Sequence, residues 1–209
     1  CCASTRSCEP LILTITISGK LSGTYTSAVQ AKEQLNGAAV EVVDSHSASM
    51  GAGWAVLETA RAAAEGASLS ECKAIAEDIC NRSNAIFAVD TLEFLHRGGR
   101  IGGGARFIGT ALNFKPILQL NEGAIDAVER VRTSKKARNR LVELIGEATA
   151  DAKEVKLGVI HSNAPEEAEA FKEKLVASLN PTEIMTTELS PVIGTHTGPK
   201  TLGVGYYAK

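Results

Sequence analysis

Within the stretch ITISGKLSGTYTSA, residues 15–28, two serines, a threonine and two glycines crowd positions 18–24: Ser18, Gly19, Ser22, Gly23 and Thr24. Hydroxyls at this density hydrogen-bond an anionic group, and the glycines let backbone N–H groups approach it. The stretch follows a β-branched run and precedes a helical pattern. That puts it between the C-terminal end of a strand and a helix N-terminus, where α/β sheets bind ligands and a carboxylate or phosphate is favoured. Ordinary helix capping by Ser22 or Thr24 uses the same residue types. The local sequence leaves both readings open.

Three further segments carry more polar and glycine residues than a scaffold needs. Leu95-His96-Arg97-Gly98-Gly99-Arg100-Ile101-Gly102-Gly103-Gly104 resembles a phosphate-cradling loop, but no lysine-serine pair follows and the dinucleotide spacing is not matched. It reads more safely as a flexible basic loop, with Arg97 and Arg100 either solvated or facing a partner. Arg130-Val131-Arg132-Thr133-Ser134-Lys135-Lys136 adds positive charge at a strand-to-helix junction. Charge clusters at such a junction are usually solvated, yet with Arg100 this one could form a docking face for an acidic partner. Gly194-Thr195-His196-Thr197-Gly198-Pro199 sets a histidine between hydroxyls in a glycine-flanked turn, with an unperturbed pKa near neutrality. His46, His96 and His161 have no such setting. Ser18 or Ser22 with His196 and Asp44 supplies the residue types of a hydrolase triad, although the GxSxG elbow is absent. No HExxH or paired CxxC spacing points to a metal.

Short apolar runs alternate with helical patterns along the chain, and these elements must position the polar segments. Strands are expected over 11–17, 40–43 and 85–89, with helices over 24–35, 49–65 and from Ser68 onward. Ser68-Leu69-Ser70-Glu71 has the capping-box spacing, and Leu69, Cys72, Ile75, Ala76 and Ile79 line one helix face. This rhythm argues for a largely parallel sheet with covering helices. Beyond Thr91 come a glycine-rich stretch, a strand over 115–120, a hairpin turn at Asn121-Glu122-Gly123 and a return strand over 124–131. A helix over 134–147, a strand over 156–161, a helix over 165–179 and strands over 182–189 and 201–207 complete the pattern. The expectation is an α/β fold of two domains, 1–91 on a parallel sheet and 92–209 on a mixed sheet.

At 209 residues and 44% hydrophobic, the chain can bury a substantial core. A net charge of -2 gives no chain-wide basic footprint, which argues against nucleic acid or an anionic membrane surface as the default partner. No apolar run approaches the roughly 18 to 20 residues of a membrane span, and no basic-then-apolar leader is present, so a cytoplasmic location is expected. Cys72 and Cys80 lie two helical turns apart, about 12 Å by the helical rise, beyond disulfide reach, and read as small buried hydrophobes. Cys1, Cys2 and Cys8 lack zinc spacing, and a cysteine stands where an initiator methionine belongs, so the start reads as cut.

In order along the chain, ITISGKLSGTYTSA, VVDSHSASMGAG, LEFLHRGGRIGG, KPIL with RVRTSKKA, and THTGPKTLGVGYY resemble the DegV family of bacterial fatty-acid-binding proteins. The resemblance covers nearly the whole chain. It implies a two-domain fold, a parallel-sheet first domain and a mixed-sheet second, with one long-chain fatty acid in an apolar tunnel and no other cofactor. By position, Ser18, Ser22, Gly23, Thr24, His196 and Thr197 would hold the carboxylate. Arg100 and Arg132 resemble the family's positions for docking a separate ATP-dependent kinase, which phosphorylates the carboxylate to an acyl phosphate; the chain itself would be a carrier and not an enzyme. The family's opening TSQPS-like loop has only Ser4-Thr5-Arg6-Ser7-Cys8-Glu9-Pro10 as a counterpart, so the first domain is expected to be N-terminally incomplete. At roughly 0.8 kcal/mol per buried methylene, a sixteen-carbon tail contributes on the order of 10 kcal/mol before binding costs. With 4% aromatic residues, an aliphatic tunnel lining is expected. A serine-dependent lipid ester hydrolase is the alternative, and a nucleotide-binding regulator using Gly99 to Gly104 ranks third.

Overall fold

The computed structural model describes residues 11–35, 38–108 and 114–209. Cys1, Cys2, Cys8 and the segment Ser4 to Pro10 lie outside the described residues. Strands β1 (Ile12–Thr16) and β2 (Val40–Asp44) pair in parallel, with Ile12 opposite Val40 and Thr16 opposite Asp44. Helix α1 (Thr24–Gln34) makes the crossover between them, as parallel pairing requires. Helices α2 (Met50–Ala64) and α3 (Leu69–Arg82) follow. The start of α3 is held by the expected capping box: Ser68 accepts from the Glu71 N–H, and the Glu71 carboxylate accepts from the Ser68 N–H at 2.8 Å.

The remaining strands form one six-stranded sheet in the order β5-β4-β3-β8-β6-β7. They are β3 (Ser83–Ala88), β4 (Lys115–Asn121), β5 (Ala124–Val131), β6 (Val155–His161), β7 (Glu183–Glu188) and β8 (Leu202–Ala208). Between them lie α4 (Glu93–Arg97), a 3-10 helix (Gly102–Phe107), α5 (Ser134–Ala148), α6 (Pro165–Leu179) and α7 (Pro191–Thr197). Glu122 and Gly123 both adopt positive φ, 47° and 82°, the two-residue primed turn that suits a right-twisted hairpin.

One expectation is corrected. The run at 85–89 does not extend the parallel sheet. It is the core of β3, antiparallel to both β4 and β8, with Phe87 opposite Leu118 and Gly203. Membership of the mixed sheet therefore begins at Ser83, and the parallel sheet has two strands among the described residues. Ala85 to Ala88 are buried on both faces, which marks a central strand but says nothing about which neighbours it takes.

Helices α5 and α6 cover one face of the large sheet, packing Leu141, Ile145, Phe171 and Leu175 against Leu157, Val159 and Val204. Helix α2 takes the other face and also touches β1, and α3 likewise contacts both sheets, so the two helices form the wedge that joins them. Glycines make this close approach possible. A Cβ on Gly205 would stand 2.3 Å from the Gly51 nitrogen, and one on Gly158 would stand 2.5 Å from the Met50 Cβ. Trp54, fully buried, then donates its indole N–H to the Gly205 carbonyl at 3.0 Å. At the far end of the wedge, Lys156 lies 3.0 Å from Glu58, while Arg61 makes two 2.9 Å bonds to Glu183.

Candidate functional site

The hydroxyl turn after β1 is fastened before it is free to bind anything. The Ser18 N–H donates to the Ser47 carbonyl at 2.8 Å, and its hydroxyl, fully buried, donates to the Gly123 carbonyl at 2.7 Å. The same oxygen accepts from the Lys20 N–H, and the Ser18 carbonyl accepts from Leu21 and Ser22. Ser18 thus ties the turn to the loop after β2 and to the β4–β5 hairpin. Gly19 donates its N–H to Asp44 Oδ2 at 3.0 Å, and a Cβ there would approach that oxygen to 2.9 Å. Gly23 is different. It precedes α1 at an ordinary φ of -69°, and a Cβ would meet nothing within 4 Å.

Beside this turn lies a cavity of about 340 Å³, walled by Ile17, Leu21, Phe87, Leu95, Ile125 and Ile160 among others. It collects residues from the turn after β1, from β3, the β4–β5 hairpin, β6 and α7. The lining is mainly aliphatic. Its volume falls in the range of small-molecule sites, roughly 300 to 1,000 Å³. Of the polar residues expected at the site, Ser22, Thr24, His196 and Thr197 line it, as does Arg100; Ser18 and Gly23 do not.

These polar groups are coupled through the backbone around them. Ser22 Oγ and Thr24 Oγ1 lie 2.8 Å apart, and Ser22 also accepts from the Thr24 N–H, so it serves the helix start while facing the cavity. Arg100 donates from Nε to the Leu21 carbonyl at 3.1 Å and from Nη1 to the Gly98 carbonyl at 2.8 Å, which holds a guanidinium next to the hydroxyl turn. His196 Nδ1 is buried with no hydrogen-bond partner among the described residues. It lies against Gly98, where a Cβ would come within 2.1 Å of it. Thr197 is buried and donates to the Ile193 carbonyl; the Thr201 hydroxyl closes the helix by donating to the Thr197 and Gly198 carbonyls.

His196 belongs to the last turn of α7 and not to a glycine-flanked turn. Ser190 caps that helix by accepting from the Ile193 N–H, Pro191 opens it, and Gly198 at φ 79° ends it. Gly194 inside so short a helix disguised it. The glycines of 102–103 are also explained by packing. A Cβ on either would stand 2.2 Å from the Ile125 carbonyl or from Asp126 Oδ1, so glycine is what lets the 3-10 helix lie on β5. The stretch 93–107 is thus α4 and a 3-10 helix rather than an open loop.

Two members of the expected triad are engaged elsewhere. Ser18 donates to Gly123, and Asp44 accepts from the Gly19 and His46 N–H groups. Arg132 follows the end of β5 remote from the hairpin turn, roughly 20 Å along the strand from Ile125 at about 3.3 Å per residue. It is exposed, as is Arg100. Cys72 is buried, and burial, with a smaller effect from Asp44, pushes the Cys80 thiol up to about 11. Among the described residues no group of three His, Cys, Asp or Glu side chains is placed to hold a metal, and no helix is long and apolar enough to cross a membrane.

Sequence reasoning missed Ser49. It lines the cavity at the start of α2 with φ 48°, rare for serine, and makes no side-chain cap. The SHSAS stretch after β2 is the counterpart of the hydroxyl turn after β1, and that parallel was the available signal.

Comparison with known proteins accords with this geometry. The sequence model of the DegV family matches residues 8–209. A DegV domain-containing protein of Halalkalibacterium halodurans is 35% identical over 94% of this chain and 70% of its own length. Among solved structures, a DegV family protein from Thermus thermophilus described for fatty acid binding superposes with a TM-score of 0.89 at 39% identity, covering 95% of this chain and 71% of that one. DegV from Bacillus subtilis, described as a fatty acid binding protein, gives 0.82 at 34% identity over 94% and 71%. With the family's sequence model matched across residues 8–209 and the fold in agreement with its solved structures, the chain belongs to the DegV family.

Proposed function

We propose that this chain binds one long-chain fatty acid in the cavity and presents its carboxylate to a separate ATP-dependent kinase. The observation that carries the reading is the cavity itself: about 340 Å³ of aliphatic wall, with Ser22, Thr24, Arg100 and His196 grouped where the hydroxyl turn meets α7. A buried carboxylate without partners is costly, and hydroxyls, a guanidinium and an imidazole supply its hydrogen bonds. In this reading Ser22, Thr24, His196 and Thr197 surround the carboxylate, while Ser18 and Gly23 shape the turn. Arg100 serves both the mouth of the cavity and, with Arg132 separately, the approach of the kinase. The acyl chain supplies the affinity. The relatives described as fatty-acid-binding proteins, at 39% and 34% identity, support the same ligand class. The chain acts as a carrier in the cytoplasm, where the kinase finds ATP.

Native mass spectrometry of the purified protein, followed by organic extraction, tests the binding step. The expected result is one fatty acid per chain and no ester cleavage by the protein alone. A bare protein mass that does not shift on adding palmitate or oleate overturns the reading. Hydrolysis of a lipid ester, lost on replacing Ser18 or Ser22, would move the assignment to the hydrolase.

A further inference from the structure

On the face of the large sheet covered by α5 and α6, a small pocket opens where the first turns of these two helices converge. It measures about 70 Å³, lies at the end of β3 and shares no lining residue with the fatty-acid cavity. Its floor is apolar, with Ala88, Ala137 and Leu202, and its rim is charged. Cations reach it from three separate segments: Lys115 at the start of β4, Arg138 on α5 and Lys200 in the loop between α7 and β8. Asp90 and Glu167 are the acids beside them. Lys115 is bound to the Asp90 carboxylate, so that pair is neutral. Arg138, half-buried, and Lys200 make no side-chain hydrogen bond or ion pair among the described residues. Two residues further along α5, Arg140 instead binds Glu129, Glu143 and Glu147 at 3.0, 3.0 and 2.9 Å. Helix α5 opens with Ser134, Lys135 and Lys136 and has no acid in its first turn, although a helix N-terminus favours negative charge. Helix α6 opens on Ala164 without a side-chain cap. The loop bearing Lys200 is pinned, its N–H donating to the Ser162 carbonyl at 2.8 Å while the Ser162 N–H donates to the Thr201 carbonyl at 3.0 Å.

We propose that this pocket binds a tetrahedral oxyanion, phosphate as the free dianion or as a monoester. Arg138 and Lys200 against Glu167 leave one positive charge, and two helix N-termini of roughly half a charge each bring the total to about two. A phosphate dianion balances that charge. Arg138 supplies a planar fork of donors matched to phosphate oxygens, Lys200 a compact point charge, and Ser134 a hydroxyl at the start of α5. The pocket is far smaller than the roughly 300 to 1,000 Å³ of a small-molecule site, so only the phosphoryl group enters and any organic part stays outside. Its occupancy is independent of the fatty-acid reading, because the two sites have no residue in common.

Titration calorimetry with inorganic phosphate, at an ionic strength held constant with sodium chloride, tests this, with circular dichroism and thermal melting as folding controls. One phosphate per chain is expected. Binding should weaken about tenfold or more in Arg138→Gln and in Lys200→Gln, and should be retained in Lys136→Gln, which removes the same charge from α5 outside the pocket. Spectrum and melting temperature should not change, since neither pocket side chain has a protein partner to lose. Glycerol phosphate in the same assay separates the two sources: equal or tighter binding assigns the pocket to a monoester, weaker binding to the free anion. The absence of saturable binding by either compound overturns the proposal. So does binding that survives both pocket variants, or that falls equally in Lys136→Gln. Native mass spectrometry of the same samples reads the lipid separately, so a chain without fatty acid defeats the carrier reading and leaves the phosphate result standing.

Discussion

Gly98→Ala isolates the contact between the glycine stretch and His196. Gly98 has φ -78° and ψ -5°, which alanine adopts without strain, so the backbone gives no reason for glycine. The added methyl would stand 2.1 Å from His196 Nδ1, 2.9 Å from its Cε1 and 3.1 Å from the Phe94 carbonyl. The imidazole must turn away, and the hydrogen bond to the carboxylate proposed above would go with it. A bond to a charged group contributes about 1.5–3 kcal/mol, so fatty-acid affinity should fall roughly 10- to 150-fold. The melting temperature should stay near that of the parent, because alanine restricts the unfolded chain and offsets part of the local crowding. Titration calorimetry with palmitate measures the loss. In a double-mutant cycle, His196→Ala should lose a similar amount, and the pair should lose no more than His196→Ala alone. Unchanged affinity in Gly98→Ala, or losses that add in the double variant, would refute the reasoning.

Ser18→Ala removes the bonds to Gly123 and Lys20 and should cost about 1–2 kcal/mol of stability by chemical denaturation while leaving palmitate affinity within about twofold; a large affinity loss at unchanged stability would instead put this hydroxyl on the carboxylate. Gly205→Ala forces α2 off the sheet, and with Trp54 as the sole tryptophan its emission should shift to the red in the same variant. The ion cluster at Glu183 sets a pH dependence. Its hydrogen bond from Arg61, helped by Lys156, holds the Glu183 carboxyl below the ordinary carboxylate value, against the opposing effect of burial. Its contribution is therefore complete above that ordinary value and fades as pH falls through the lowered one. Glu183→Gln should be less stable than the parent at neutral pH and converge with it in acid; curves that stay parallel down to full protonation would count against the pairing. Cys80, with its thiol raised to about 11 by burial, should resist alkylation at pH 8 in the native protein and react on unfolding.

Most elements were legible because their causes are local. The apolar alternation of 124–131, the Asn121-Glu122-Gly123 turn and the Ser68 capping box each lie within a few residues of chain, and the structure has them where the pattern put them. Family membership was legible too, since motif order along a chain survives without coordinates. Short α7 was not, because a glycine within seven residues breaks the helical pattern, and what holds it is a serine cap, a proline and the Thr201 hydroxyl. The neighbours of β3 were equally hidden. A run of buried residues suits any central strand, and only its registers with β4 and β8 tell which sheet it joins.

Sequence by itself determined residue types, most of the elements and the set of polar segments at issue. Tertiary structure alone decided which of them meet. Ser18 finds its acceptor 105 residues away, His196 settles on Gly98, and Arg100 turns toward Leu21. A hydroxyl, an imidazole or a guanidinium has several partners within chemical reach, and which one it takes depends on distances between elements that the packing of α2 and α3 against both sheets helps to set.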